Sequence, residues 1–307
     1  MKIKLKTILR WVILGTTLVF VGKALQNNWL EVTAIRIDEG GWSILAIATG
    51  VTLLGHIWAG WIWTWVLKEL KQSVPPSRFI QVYLKTNLAK YLPGNVWHYY
   101  GRIVAAKNAN VAPGAATLSV LLEPLLMAAA ALIFVVLLSN QFASTNNTLT
   151  LQALQIISLI IILCAVHPRF LNPVIGSLHK LKLKKSQTQA TDKFLIRRYP
   201  LKPLLGELGF VALRGTGFIL TLFAIIPLNP SQIPLLLGAF SLAWLLGLVV
   251  PGAPGGLGVF EATAIALLQH RFPTAAVISA IALYRLISII AETLGAVLAS
   301  FDERLAK

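Results

Sequence analysis

The stretch from Gly215 to Phe260, GTGFILTLFAIIPLNPSQIPLLLGAFSLAWLLGLVVPGAPGGLGVF, contains no Asp, Glu, Lys, Arg or His. A bilayer-spanning helix needs about 20 predominantly apolar residues. This run is long enough for two crossings, with a turn at Pro227-Leu228-Asn229-Pro230 between them. Two further runs, Ser43 to Leu67 and Pro124 to Pro168, lack Asp, Glu, Lys and Arg and are also long enough to span. All three are continuously apolar rather than alternating with period two, which disfavours a β-barrel and favours helices.

Composition agrees over the whole length. Of 307 residues, 56% are hydrophobic and 12% charged, and the mean hydropathy is +0.74. A water-exposed surface is not built from that mixture. The expected fold is therefore all-α: a polytopic membrane helix bundle forming a single integral membrane domain over 1–307. Its lone cysteine, Cys164, sits inside an apolar run, so neither a disulfide scaffold nor a zinc-finger array is expected.

The chain carries 27 basic against 11 acidic residues, a formal charge of +16. On a soluble protein that excess would point to nucleic acid; here membrane topology explains it, and no nucleic-acid partner is expected. Lys2, Lys4, Lys6 and Arg10 precede the first apolar segment without an acid, whereas 23–42 sets two basic residues against Glu31, Asp38 and Glu39. Positive charge stays on the cytoplasmic side, which puts the N-terminus in the cytoplasm, at the plasma (inner) membrane. No small-residue cleavage site follows the apolar core Trp11 to Gly22, so the segment reads as a retained anchor.

Spans are then expected at Ile8–Leu25, Ser43–Leu67, Ala115–Leu138, Leu149–Val166, Leu204–Leu228, Ile233–Val250 and Thr274–Ser300. With two hairpins the count is about seven full crossings and an external C-terminus; if one hairpin crosses completely, the C-terminus turns inward. A basic loop, 167–203, carries Arg169, Lys180, Lys182, Lys184, Lys185, Lys193, Arg197, Arg198 and Lys202 against Asp192 alone. It reads as cytoplasmic and divides the chain into halves of about 1–166 and 204–307.

Two segments do not fit regular spans. Phe79 to Ala112 holds Lys85, Lys90, Arg102 and Lys107 around Tyr91-Leu92-Pro93-Gly94-Asn95-Val96-Trp97-His98. Central charges on a lipid-facing helix cost several kcal/mol each. Val250 to Glu261 packs Pro251, Pro254, Gly252, Gly255, Gly256 and Gly258 into twelve residues. Backbone that leaves the helix at membrane depth survives only where protein or a water-filled cavity surrounds it. Both segments are therefore expected to be re-entrant hairpins dipping in from the cytoplasmic side. The Pro-Gly breaks at Pro93-Gly94 and Pro254-Gly255 suggest a two-fold internal repeat, the arrangement that marks transport sites. The competing reading is tight cytoplasmic turns.

The run Pro254-Gly255-Gly256-Leu257-Gly258-Val259-Phe260-Glu261-Ala262 resembles the signature Pro-Gly-Gly-Leu-Gly-x-x-Glu-Ala of the lysyl-phosphatidylglycerol synthase transmembrane family, also called flippase-like membrane proteins. Lys90-Tyr91-Leu92-Pro93-Gly94 with Gly101-Arg102 is similar to that family's first motif, and the resemblance covers nearly the whole chain. It implies a membrane domain that moves lipids or lipid-linked groups between leaflets. The residues it carries over are Pro93, Gly94 and Arg102, and Pro254, Gly255, Gly258 and Glu261. Synthesising members add a soluble aminoacyl-transferase domain, whereas this sequence ends at Lys307 just after its last span. Translocation is thus expected rather than aminoacylation.

Charges inside spans mark candidate sites. Arginine's planar fork suits a lipid phosphate, which selects Arg102, Arg214 and Arg285 for headgroup binding. Lys85 and Lys90 would form a way in from the anionic inner leaflet, unless Lys85 merely snorkels. The helix N-terminus after Pro254-Gly255 would offer amides to an anion, with Asn95 and Gly256 completing the two break motifs. Glu123, Glu207, Glu261 and Glu292 are candidates for proton coupling or charge pairing, since burial favours a carboxyl's neutral form. Arg214 with Glu292, and Arg285 with Glu207 or Glu261, are the natural cross-helix pairs. His56 and His98 read as interior histidines, and the tryptophans as a belt or cavity lining.

The leading expectation is a lipid translocase for an anionic phospholipid or lipid-linked group. It would lack an intrinsic ATPase, because no phosphate-binding loop occurs, and no cofactor or metal is expected. The alternatives are an intramembrane enzyme acting on a lipid or polyprenyl phosphate, for which no catalytic motif is found, and an ion or small-solute transporter.

Overall fold

The computed structural model describes residues 19–92, 96–138, 148–173, 198–250 and 254–305. Regular structure among them is entirely helical. The principal helices are α1 (Trp29–Ala34), α2 (Glu39–Glu69), α3 (Pro76–Asn87), α4 (Trp97–Asn108), α5 (Pro113–Leu137), α6 (Thr148–Val166), α7 (Leu201–Phe223), α8 (Ile233–Val249), α9 (Val259–Leu268) and α10 (Thr274–Leu305). Short 3₁₀ turns follow α3 at Leu88–Tyr91 and precede α9 at Pro254–Gly256. The chain is a multi-pass membrane protein. Five helical stretches, Glu39–Glu69, Pro113–Leu137, Leu201–Phe223, Pro230–Val249 and Thr274–Glu303, are long and apolar enough to cross a bilayer, and Gln152–Val166 adds a shorter apolar helix. Of the expected first span, 8–18 lie outside the described residues, as do Pro93, Gly94, Asn95 and the central part of the basic loop.

Helix boundaries follow local chemistry. α2 starts at Asp38, whose Oδ1 accepts the Gly41 N–H at 2.7 Å, an N-cap that satisfies one of the orphan donors. α7 stops at Phe223 rather than at the expected Leu228, because Pro227 disfavours helical geometry in the residue before it. α10 runs past the expected Ser300 to Leu305, where its polar end finds partners on α3.

Contacts define the two ends of the bundle. At the end of the bundle where Lys202 of the basic loop lies 4.6 Å over the Trp65 ring of α2, the basic end, Gln72 accepts the Ala112 N–H at 3.2 Å, Gln81 donates to Asp302 at 2.6 Å, and Lys85 pairs with Glu303. The end of α2 therefore meets the start of α5, and α3 meets the C-terminal end of α10. At the far end, Gly41 abuts the Ala224 carbonyl so closely that a Cβ there would sit 2.7 Å from it. Val32 packs on the cluster of Leu235, Leu268 and Phe272.

These contacts correct two expectations. The end of α10 lies at the basic end, not at the opposite, external one. The two breaks are also approached from opposite ends of the bundle. α3 runs inward from the basic end and α4 returns to it. By contrast, α8 runs inward from the far end, and α9 turns back toward it, with Leu268 beside Leu235 and Leu236 in one buried cluster. The ten residues of α9 span only about 15 Å. A Pro/Gly run announces a reversal without saying which end its arms come from.

α10 serves as a depth ruler. Lys85 meets Glu303 and Lys90 meets Glu292, about 16 Å further along α10. Arg285, about 10 Å deeper still, holds the second break. The two breaks meet there: Tyr91 packs on Gly255, where a Cβ would lie 3.2 Å from its ring. Each half of the bundle thus sends one broken segment to the same middle depth.

Candidate functional site

Between the breaks lies a cavity of about 130 Å³, lined among others by His56, Asn87, Lys90, Tyr91, Arg102, Glu123, Arg214 and Arg285. That is roughly ten times the space one buried water needs. Its walls come from α2, α3, α4, α5, α7, α8, α9 and α10 and from the two 3₁₀ turns, Leu88–Tyr91 and Pro254–Gly256. Each polar residue is placed by helical spacing. Tyr83, Asn87 and Lys90 recur at four and three residues along the first arm, and His98 and Arg102 at four residues along the second; such spacings share a helix face.

Three charge clusters surround the cavity. In the first, Arg102 holds Glu123 through Nη1 at 3.1 Å and 3.0 Å to the two carboxylate oxygens, and Tyr83 donates its hydroxyl to the same carboxylate at 2.7 Å. The Arg102 guanidinium also stacks 3.5 Å over the Tyr83 ring, while Asn87 lies 3.5 Å from Arg102 Nη2. Both ions are almost fully buried, at 2% and 1% exposed. Removing either would leave an uncompensated buried charge.

In the second cluster, Lys90 Nζ lies 2.5 Å from Glu292 Oε1. Nε2 of His56 lies 3.2 Å from that same oxygen and 3.0 Å from Arg214 Nη1. One ring nitrogen thus stands between an arginine donor and a carboxylate acceptor, and its tautomer selects between them. Arg214 Nη2 donates to Ser288 at 3.2 Å, and its backbone carbonyl accepts from the Tyr284 hydroxyl at 3.1 Å.

The third cluster builds the second break. Arg285 donates Nε to Glu261 at 2.5 Å, Nη1 to the Gly255 carbonyl at 2.8 Å and Nη2 to the Gly256 carbonyl at 3.1 Å. Glu261, in the first turn of α9, accepts the Gly258 N–H at 2.6 Å with its other oxygen, the reciprocal half of a capping box. Gly255, Gly256 and Gly258 all have positive φ, at 60°, 74° and 84°, the region glycine enters at little cost. The amide after the break that would have been offered to an anion is occupied by Glu261.

The clusters sort the expected site residues. Lys85 stands apart from the cavity, at the basic end with Glu303. Lys90, Arg102, Arg214 and Arg285 line it together with Glu123, Gly255 and Gly256. Lys90, Arg102 and Arg285 each contact a carboxylate. Among the described residues, Arg214 is the cavity cation without a carboxylate within salt-bridge distance, and its Nε has no hydrogen-bond partner. Of the anticipated pairs, Arg285 joins Glu261, while His56 stands between Arg214 and Glu292. Glu207 is fully buried, and neither of its oxygens has a partner. Tyr83 and Asn87 join the site as partners of Glu123 and Arg102 beyond the residues expected from sequence, and their spacing of four and three residues with Lys90 is the signal that marks them.

The cavity's polar wall adjoins an apolar outer surface. Leu92, Val96, Trp97, Tyr100 and Leu257, flanking the lining residues along both breaks, are 42–62% exposed. On a membrane protein those faces point to lipid.

Compared with known families, residues 8–295 match the lysylphosphatidylglycerol synthase TM region. None of the curated proteins compared with the chain matches it. The chain belongs to the lysylphosphatidylglycerol synthase TM region family, which ties it to membrane-lipid function.

Proposed function

We propose that the protein is a lipid translocase, which carries the headgroup of an anionic phospholipid or lipid-linked group through the cavity between the two breaks while the acyl chains remain in the bilayer. The observation that carries this reading is the junction of a charged, mid-depth cavity with an exposed apolar rim at the break tips. A headgroup leaving water needs its phosphate compensated, and hydrocarbon tails need a lipid-facing side. Arg214 is the phosphate anchor. It lines the cavity, no carboxylate among the described residues contacts it directly, and its guanidinium is already oriented by His56 and Ser288. Lys90 and Arg102, each tied to a carboxylate, tune the wall around it. We place the chain in the plasma membrane with its N-terminus in the cytoplasm, as the basic residues before the first span favour, and read it as moving lipid without transforming it.

The test is reconstitution into liposomes with fluorescent phospholipids of matched acyl chains, following movement between leaflets. Wild type should move an anionic lipid faster than empty vesicles do. Arg214→Ala should slow it by about tenfold or more, the loss of one charge-assisted contact. Mass spectrometry of the same vesicles should find the input lipids unchanged. Vesicles with wild-type protein that move lipid no faster than empty ones, or new lipid species, would overturn the reading.

A further inference from the structure

Four carboxylates approach the cavity, and three are accounted for. Glu123 is held by Arg102 and Tyr83, Glu261 by Arg285 and the Gly258 amide, and Glu292 by Lys90 and His56. Glu207 is different: it is 0% exposed, and both carboxylate oxygens lack any hydrogen-bond partner. An ionised carboxylate in that position would carry a desolvation cost that no donor offsets. A metal ion would need several converging oxygen ligands, and no cluster of that kind occurs among the described residues.

We propose that Glu207, working through Glu123, is a proton-exchange site that couples lipid movement to a transmembrane pH gradient. This rests on the translocase reading. The geometry supplies a buried store one helix away from the cavity. Glu207 sits on α7, which packs against α5, the helix that carries Glu123. Glu123 in turn lines the cavity. A proton taken from water in the cavity forms one O–H bond on Glu207 as one breaks on the donor, and release reverses the exchange. When Glu207 ionises, an uncompensated charge appears beside Arg102 and competes with Glu123 for it. That competition loosens the link between α4 and α5 and so connects protonation to the first broken segment.

The groups around Glu207 are identifiable element by element. Glu123 on α5, bound by Arg102 of α4 and Tyr83 of α3, is the polar cluster carried by the helix packed against α7. α2 contributes His56, and α10 contributes Tyr284 and Glu292, all at the level of Arg214, two turns further along α7. α8 has no titratable side chain. Lys202, near the start of α7, is turned to the Trp65 ring at 4.6 Å.

Infrared difference spectroscopy on the purified full-length protein, stepping pH, reads the site without any transport. Wild type should show a protonated-carboxyl band that appears and disappears with pH, and Glu207→Gln should abolish it. If that variant fails to fold, Glu207→Asp supplies the second test: it keeps a carboxyl at the site, so a pH-dependent band should persist at a shifted frequency. In liposomes, a one-unit pH gradient should accelerate lipid movement up to about tenfold in wild type and leave Glu207→Gln unresponsive. A band that ignores pH, survives Glu207→Gln or keeps its frequency in Glu207→Asp overturns the proton site. Should wild type move no lipid while the band behaves as expected, the translocase reading alone fails.

Discussion

At the scale of single residues, the buried ion pair Arg102–Glu123 is the strongest constraint on the first broken segment. Arg102→Ala should destabilise the protein by about 3–5 kcal/mol, because it strands Glu123 in the interior. Arg102→Lys should restore only part of the loss, since an ammonium lacks the planar fork that reaches both Glu123 and Asn87 and stacks on Tyr83. Thermal unfolding in detergent measures both. Much of this is legible from charge inside apolar sequence: a membrane makes every such residue conspicuous, and that alone pairs Arg285 with Glu207 or Glu261, of which the structure shows Glu261. Arg102 with Glu123 is not legible in this way, because α4 and α5 are joined by a tight turn whose geometry sequence spacing does not encode. His56 shows the same limit: an interior histidine is easily foreseen, but its place between Arg214 and Glu292 depends on how three separate helices pack.

At the scale of elements, the second break is held by Arg285 from one side and by glycine backbone from the other. Gly256 has φ of 74°, and a Cβ there would meet the Gly247 backbone at 3.1–3.4 Å. Gly256→Ala should therefore cost about 1–3 kcal/mol through left-handed backbone strain alone, with further loss as α8 and α9 are pushed apart. Gly50 on α2 has nothing within 4 Å of its built Cβ, so Gly50→Ala should be neutral or stabilise by up to about 1 kcal/mol. Equal losses at the two sites, measured as shifts of the unfolding midpoint, would contradict this picture of the break. Proline and glycine made the interruption readable in advance. The direction of α9 was not, because a ten-residue apolar helix has the same composition whichever end it returns to. Only the packing of Leu268 beside Leu235 and Leu236 resolves it.

At the scale of the whole molecule, chain direction and charge give an architecture in which the two halves send broken segments to a common depth from opposite ends. One consequence concerns sidedness. Because Gln81 and Lys85 meet Asp302 and Glu303, a cysteine placed at Ser300 or Phe301 should react with an impermeant thiol reagent from the same side as one placed at Gln72. The background would be Cys164→Ser, since Cys164 is exposed. Labelling of the two positions from opposite sides would mean that α10 runs the other way.

The central claim is that water and headgroups reach a cavity at middle depth, between Tyr91 and Gly255. The most direct measurement is the reactivity of Tyr91→Cys, in the Cys164→Ser background, toward a small impermeant thiol reagent in intact vesicles. A cavity there predicts labelling without detergent, slowed by added anionic phospholipid more than by zwitterionic lipid. Labelling that requires detergent or unfolding, with no effect of either lipid, would contradict it.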